Sequence, residues 1–412
     1  MIVSRRVLLA GAASLSLSAC MGGGIRATPP RAASTAMRPE PNAAFDAWVD
    51  AYAGRARAAG IAPQVVDRAL AGAGFLPDVI ARDRRQTEFT RTLEDYLNIA
   101  ASAERIAAGR AALSRHGVTL RAIEARYGVP AEVLTAIWGL ESRYGTEKGD
   151  IPAVSALATL AFDGRRGAFF ESQLTAALRI LERGDTSYAN LRGSWAGAMG
   201  HTQFIPTTYQ SYAVDFTGDG RRDIWADDPT DALASAANYL SRMGWQTGQP
   251  WGQEVFLPSG FNAGLAGRGS TRSDWAAMGV RAASGSWAGL PASLILPDGP
   301  NGPAFLVYRN FSVILRYNNS ELYGLGIGHL SDRLRGLGPI QGNFQPDANG
   351  LRLGDRQELQ RLLTRAGFDT QGDDGVIGPN SEAAIRAYQA ARGMPVTGRP
   401  SRALLEGLRR GA

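Results

Sequence analysis

The chain is predicted to be mainly α-helical, with one β-containing stretch and a compact helical unit at its C-terminal end. Three observations point that way. Between Ala43 and about Leu240, apolar residues recur at helical spacing, with glycine and proline as punctuation. From residue 249 to about 300 that period is lost and the sequence becomes rich in Gly, Ser and Trp. Beyond residue 351, two amphipathic stretches flank the turn-rich QGDDGVIGPN.

The 412 residues suffice for two or three domains with a sizeable core, and 44% hydrophobic with 20% charged residues is an ordinary globular composition. Fifty glycines call for many loops and close backbone approaches. The net charge of +6 suits an anionic partner such as a membrane surface or a cell-wall polymer. Nucleic acid is excluded as the expected partner, since no basic block or aromatic-basic motif stands out.

The first element reads as an export signal. MIVSRRVLLAGAASLSLSAC opens with Arg5 and Arg6 and continues in an apolar run, Val7 to Ala19, that is too short and too poor in bulky side chains to span a bilayer. Its end, Leu17-Ser18-Ala19-Cys20, resembles a bacterial lipobox, which would make residues 1–20 a signal peptide and Cys20 the lipidated first residue of the mature chain. Cys20 is the only cysteine, so the chain forms no internal disulfide, cysteine-based metal site or cysteine nucleophile. Ser4-Arg5-Arg6 also resembles a twin-arginine signal, but paired arginines occur in ordinary signals too, and the export route stays open. Residues 21–41, rich in Gly, Pro and Ala, are expected to form a flexible tether.

Helices follow over FDAWVDAYAGRARAAG, TLEDYLNIAASAERIAAGRAALSRHG and AFFESQLTAALRILERG. The runs FLVY (305–308) and SVILRY (312–317) read as strands that lead into a helix over LYGLGIGHLSDRLRG. GPIQGNFQPDANG (338–350) reads as a linker, and Leu351 to about Leu408 as the last compact unit.

Within the helical part, VLTAIWGLESRYG (133–145) holds an anomaly. Read at helical spacing, Leu134, Ile137, Trp138, Glu141 and Tyr144 share one face, so a carboxylate stands in an apolar stripe. An ionised carboxylate there costs several kcal/mol unless it is paired or neutralised. Three readings compete: Glu141 lies at the edge in water, or pairs with an arginine such as Arg143 or Arg165, or is held protonated as a general acid.

Longer motifs bear on that choice. AIWGLESRYG resembles the catalytic-glutamate motif of lytic murein transglycosylases of the B type. GSWAGAMGHTQFIPTTYQSYAVDFTGDGRRDIW and ILRYNNSELY match that family's next two long motifs, in the same order. The last unit, with LQ, DGVIG and AIRAYQ, resembles a peptidoglycan-binding domain of three-helix type.

The resemblance implies a lysozyme-like catalytic domain over 42–337 with a small β-containing subdomain, the linker 338–350, and a peptidoglycan-binding domain over 351–412. It implies cleavage of the β-1,4 bond between N-acetylmuramic acid and N-acetylglucosamine, leaving a 1,6-anhydro sugar. Glu141 would be general acid first and general base second, its pKa held high by the apolar stripe. Unlike the paired carboxylates of ordinary glycosidases, one acid suffices when the substrate N-acetyl group supports the cation. By the same matching, Ser194, Gln203, Tyr317, Asn318 and Tyr323 would line the sugar-binding cleft. On their residue types alone, Gln203 as a helix cap, Tyr323 as core and Ser194 at the start of a helix at Trp195 are equally open. His201 reads as structural or at the rim.

In DFTGDGRRDIWADDPTD, Asp215, Thr217 and Asp219 alternate and Gly220 is sixth, as in the first half of a calcium-binding EF-hand loop. Ala226 stands where the closing glutamate belongs, and Asp231, further along an extended loop, would close the shell as in some relatives. A structural calcium and a solvated acidic turn are both open; no cofactor is required for the acid–base steps.

The expected partners are peptidoglycan glycan strands and, through the lipid, a membrane facing the periplasm. Met21 is not the aspartate that favours inner-membrane retention, so the outer membrane is expected. The resemblance leaves room for cell-wall synthesis or division proteins as partners. Two rivals stand beside this reading: a hydrolytic muramidase on the same fold, and a non-catalytic wall-binding lipoprotein.

Overall fold

The computed structural model of the chain describes residues 37–84, 92–267, 269–270, 272–286 and 289–411. The export signal, Cys20 and the tether up to residue 36 lie outside the described residues. The tether's last residues are bound to the fold: Met37 is buried, and Glu40 forms an isolated antiparallel bridge with Phe75. Among the described residues, no helix is long and apolar enough to cross a membrane.

The described residues divide into two compact units. One comprises 37–84, 103–249 and 309–337, the other 92–102, 250–308 and 338–411. The span 42–337, expected as one catalytic domain, thus contributes to both.

The first unit is helical, and local chemistry sets its boundaries. Asn42 caps the helix Ala43–Ala58 by accepting from the Phe45 N–H at 3.0 Å, and proline opens Pro63–Leu70. Gly117–Tyr127 stops at Gly128, whose left-handed backbone lets its N–H reach the Glu124 carbonyl at 2.7 Å. Pro130 then precedes the helix Ala131–Ser142. Nine residues of that 12-residue helix are buried, so the expected apolar stripe is part of a helix buried nearly all round. It packs against Ala103–Arg115, Gly117–Tyr127, Thr230–Arg242 and Glu321–Leu334. A short ribbon, β1 (Ile151–Pro152) with β2 (Arg192–Gly193), ties together the loops that follow.

One expectation is corrected here. SVILRY is not a strand but most of the helix Arg309–Tyr317, which buries Asn310, Phe311, Val313, Ile314 and Tyr317 at helical spacing. Its β-branched residues favour a strand locally, and burial of one helical face overrides them. Asn310 fixes its first turn, accepting from the Gln246 N–H at 2.7 Å and donating to the carbonyls of Gln246 and Gln249. The stretch TLEDYLNIAASAERIAAGRAALSRHG is helical as expected, in two helices, Leu93–Ala100 and Ala103–Arg115, parted where Ala101 leaves helical geometry.

The second unit contains an antiparallel sheet of β3 (Gly252–Phe256), β4 (Gly269–Ser270), β5 (Arg281–Ala282), β6 (Ala292–Ile295) and β7 (Ala304–Val307), in the order β4-β6-β7-β3-β5. Its core gathers Val255, Trp275, Leu294, Leu306 and Tyr308. The C-terminal module packs the helices Leu353–Arg365, Pro379–Ala391 and Arg402–Arg410 around Leu359, Leu363, Ile385, Leu405 and Leu408.

Residues 338–350, expected as a linker, are pinned along this unit. The Glu254 carboxylate accepts from the N–H groups of Gln341 and Gly342, and Asp298 accepts from Gln345 at 2.6 Å. Arg356, 4% exposed, pairs with both Asp95 and Asp347, while Glu94 accepts from the Leu353 N–H at 2.8 Å. The module is therefore docked on the Leu93–Ala100 helix and continuous with the sheet.

Candidate active site

Glu141 sits one residue before the end of the Ala131–Ser142 helix and is partly buried. Its Oε1 accepts a hydrogen bond from the Tyr323 hydroxyl at 2.7 Å. Of the arginines weighed as ion-pair partners, Arg143 pairs with Glu147 and Arg165 with Asp83, each at 3.2 Å. Tyr323 is fully buried in the first turn of Glu321–Leu334, where Ser320 caps the helix by accepting from the Tyr323 N–H. Burial leaves its ring little freedom, so the hydroxyl is held at the carboxylate rather than searching for it. Tyr323 is thus a core residue by burial, with its hydroxyl turned to Glu141.

Beyond Ser142 the chain turns sharply. Arg143 and Tyr144 both have left-handed backbones, φ 46° and 57°, which non-glycine residues rarely adopt. Tyr144 therefore leaves the helical face on which its spacing placed it. Its hydroxyl donates to the Arg105 carbonyl at 2.8 Å, and its ring stands edge-on to Trp138.

The 193–204 segment forms the neighbouring wall. Ser194 does not start a helix: its Oγ accepts from the Ala198 N–H at 3.1 Å and closes a tight loop. Gly193 allows that loop, since a Cβ there would strike the Ala198 carbonyl. Met199 bridges to Phe204, which brings the Ser194 loop against Gln203. Gln203 is another left-handed non-glycine residue, φ 51°, and its amide donates to the Gly200 carbonyl at 2.8 Å and the Lys148 carbonyl at 3.0 Å. Strain of this kind persists only where the surroundings fix it, and it gathers at functional sites. Gln203 fastens the loop after Glu141 to its own rather than capping a helix.

Tyr317 ends the Arg309–Tyr317 helix and donates from its hydroxyl to the Thr202 carbonyl at 2.5 Å, one residue from Gln203. Asn318 follows it, buried. One contributor was not legible in the sequence. Lys148 carries the carbonyl that binds Gln203 and sends its ammonium to the Trp225 carbonyl at 2.6 Å. His201, expected as structural or rim, is 3% exposed and bonded to Trp138 and Ser142, so it is not at the rim.

Asp215, Asp219 and Asp231 form a separate cluster, with carboxylate oxygens within 4.8 Å of one another. Burial pushes the Asp231 carboxyl up, against the amides of Thr217, Phe216 and Asp223 that it accepts. At Asp215 burial pushes the same way, but the amides of Gly220 and Gly218 outweigh it and hold the carboxyl below the usual range. The Thr217 hydroxyl donates to Asp215 at 3.2 Å. Buried Asp185 pairs with the half-buried Arg222 guanidinium at 2.7 Å and accepts from the Arg222 N–H at 3.2 Å, which ties down this part of the loop.

The family model described as "Transglycosylase SLT domain" matches residues 44–332, and "Putative peptidoglycan binding domain" matches 352–408. The chain is 37% identical over 211 residues to the membrane-bound lytic murein transglycosylase B of Escherichia coli (strain K12). That match covers 50% of this chain and 56% of the relative, so the chain spans little more than half of that curated protein. It is also similar to SltB3 of Pseudomonas aeruginosa, solved in complex with NAG-anhNAM-pentapeptide: 47% identity, TM-score 0.72, 89% of this chain and 100% of that one. Escherichia coli lytic transglycosylase Slt35, solved in complex with calcium, is 28% identical with a TM-score of 0.61, over 75% of this chain and 98% of that one.

Proposed function

The chain belongs to the transglycosylase SLT domain family, and on that premise we propose that it is a lytic transglycosylase of peptidoglycan with Glu141 as general acid and then general base. The observation that carries the reading is the 2.7 Å hydrogen bond by which buried Tyr323 fixes one oxygen of Glu141. With Oε1 accepting from the phenol, the transferable proton belongs on Oε2.

The steps balance without a co-reactant. Glu141 gives that proton to the glycosidic oxygen, the bond from this oxygen to C1 of N-acetylmuramic acid breaks, and the N-acetylglucosamine end leaves as an alcohol. The substrate's acetamido group supports the positive charge at C1. Glu141, now a carboxylate steadied by the Tyr323 hydroxyl, takes the proton of the C6 hydroxyl as that oxygen closes on C1. The product is a 1,6-anhydro sugar, and the acid is restored. The SltB3 complex with an anhydro sugar supports this outcome over hydrolysis. Ser194, Gln203, Tyr317 and Asn318 are assigned to the cleft, where hydroxyl and amide groups give directional bonds to sugar substituents.

The C-terminal module, by its family match, is assigned to holding the same polymer. Cys20 is assigned as the lipid anchor that places the enzyme in the periplasm at the outer membrane; the likeness to a membrane-bound relative supports attachment to a membrane. A structural calcium ion fits the acidic loop, because Asp215, Asp219 and Asp231 supply hard oxygens in one small volume, with Thr217 beside them. Bound there, it would neutralise the crowded carboxylates and brace the loop, with no part in proton transfer.

The test is digestion of purified sacculi by wild type and Glu141→Gln, with products read by mass spectrometry. Anhydromuropeptides from the wild type are expected, and reducing ends would mean hydrolysis. A folded Glu141→Gln enzyme that kept more than about a tenth of the rate would end the assignment, because removing a general acid costs more than that.

A further inference from the structure

All four hydrogen-bonding groups of His201 are engaged. Its Nδ1 accepts from Trp138 Nε1 at 3.0 Å, and its carbonyl accepts from Ser142 Oγ at 2.6 Å. Its Nε2 donates to the Ala226 carbonyl at 2.6 Å, and its main-chain N–H donates to Ile224 at 3.0 Å. Two of these bonds go to the end of the Ala131–Ser142 helix. The other two go to the main chain just beyond the acidic loop's first turn.

The two helix partners bracket Glu141: Trp138 lies one turn before it and Ser142 directly after it. The helix end also needs an external hold, since Arg143 and Tyr144 follow in left-handed conformations that cost energy in non-glycine residues. Gly145 leaves room for the imidazole, because a Cβ there would collide with it. Burial keeps the ring neutral by pushing its pKa down to about 4, so Nδ1 has a lone pair for the indole N–H while the Ala226 carbonyl selects the Nε2–H tautomer.

We infer that His201 is a positioning residue for Glu141, clamping Trp138 and Ser142 to the Ile224–Ala226 main chain and so setting where the carboxyl meets the glycosidic bond. The inference rests on the acid–base reading of Glu141. Tyr323 fixes the carboxyl from one side; His201 fixes the backbone that carries it.

The test uses the full chain on a defined soluble glycan, with Glu141→Gln run alongside. His201→Leu should lower kcat about tenfold with KM within about twofold, since a small misplacement acts on the reacting geometry more than on binding. His201→Asn, whose Oδ1 replaces Nδ1 as acceptor for Trp138, should recover most of kcat, and His201→Gln, which keeps only the Ala226 donor, should not. Trp138→Phe removes the same bond from the other side and should reproduce the loss, with no further loss when combined with His201→Leu. It also serves if His201→Leu fails to fold. A folded His201→Leu enzyme with wild-type kcat, equal rescue by Asn and Gln, or additive losses in the double variant would overturn the inference. If Glu141→Gln is active, the acid–base reading falls instead.

Discussion

The phenol of Tyr323 reaches across 182 positions of sequence to hold Glu141 Oε1 at 2.7 Å. The acid lies near the end of one buried helix and the phenol in the first turn of another, and the two helices pack directly. Tyr323→Phe keeps the ring and removes only the donor. A hydrogen bond to a charged group contributes about 1.5–3 kcal/mol, so kcat should fall roughly ten- to a hundredfold while the melting temperature changes little. Steady-state kinetics on a soluble glycan decides it. Wild-type kcat in the Phe variant would mean that the phenol does not steady the carboxylate.

Calcium should raise the thermal midpoint relative to a chelator, by several degrees when the ion is in about hundredfold excess over its dissociation constant. Asp219→Asn keeps an oxygen for the Arg221 N–H and removes one charge from the cluster, so it should shrink that shift with little effect on the ion-free midpoint. Equal melting with calcium and chelator would leave the loop as a solvated acidic turn.

Two histidines should make the fold acid-labile in a defined window. Burial pushes His201 and His329 down to about 4 from an ordinary 6.5. In the unfolded chain they take up protons first as pH falls, so stability is lost from about 6.5 down to about 4, and these groups cost nothing further below that. For fully shielded His201 the loss is roughly 3 kcal/mol at most. Urea midpoints across that range should fall less steeply in His201→Asn; an unchanged slope would mean that the ring is not neutral by burial.

Removing residues 345–412 should weaken binding to sacculi while leaving cleavage of short soluble glycans nearly unchanged. The docking adds a second effect. Asp95 and Glu94 lose Arg356 and the Leu353 N–H, so the midpoint of the remaining chain should drop as well. Equal loss of activity on both substrates would place the module in the catalytic site.

Helical period, with glycine and proline as punctuation, made most of the first unit legible, and the place of Glu141 in an apolar helical stripe could be read from its neighbours alone. What failed were elements decided by distant partners. The β-branched residues of SVILRY signal a strand until one helical face is buried and Asn310 ties its start to Gln246. At the site, motif matching reached Tyr323 and Gln203 but not what they bond, because a contact over many tens of residues leaves no local period. His201 was harder still: its role rests on Trp138 and Ser142 on one side and Ala226 on the other, and no spacing within HTQF carries that information.

The fastening of residues 338–350 changes how polymer capture is organised. With Glu254 and Asp298 gripping Gln341, Gly342 and Gln345, the C-terminal module is not on a leash that sweeps a volume. It is joined to the sheet and the Leu93–Ala100 helix within one compact unit, held there by the Arg356–Asp95 pair and the Leu353–Glu94 hydrogen bond. Lengthening the 338–350 segment would first have to undo these bonds, so added residues would loosen the module before they extended its reach.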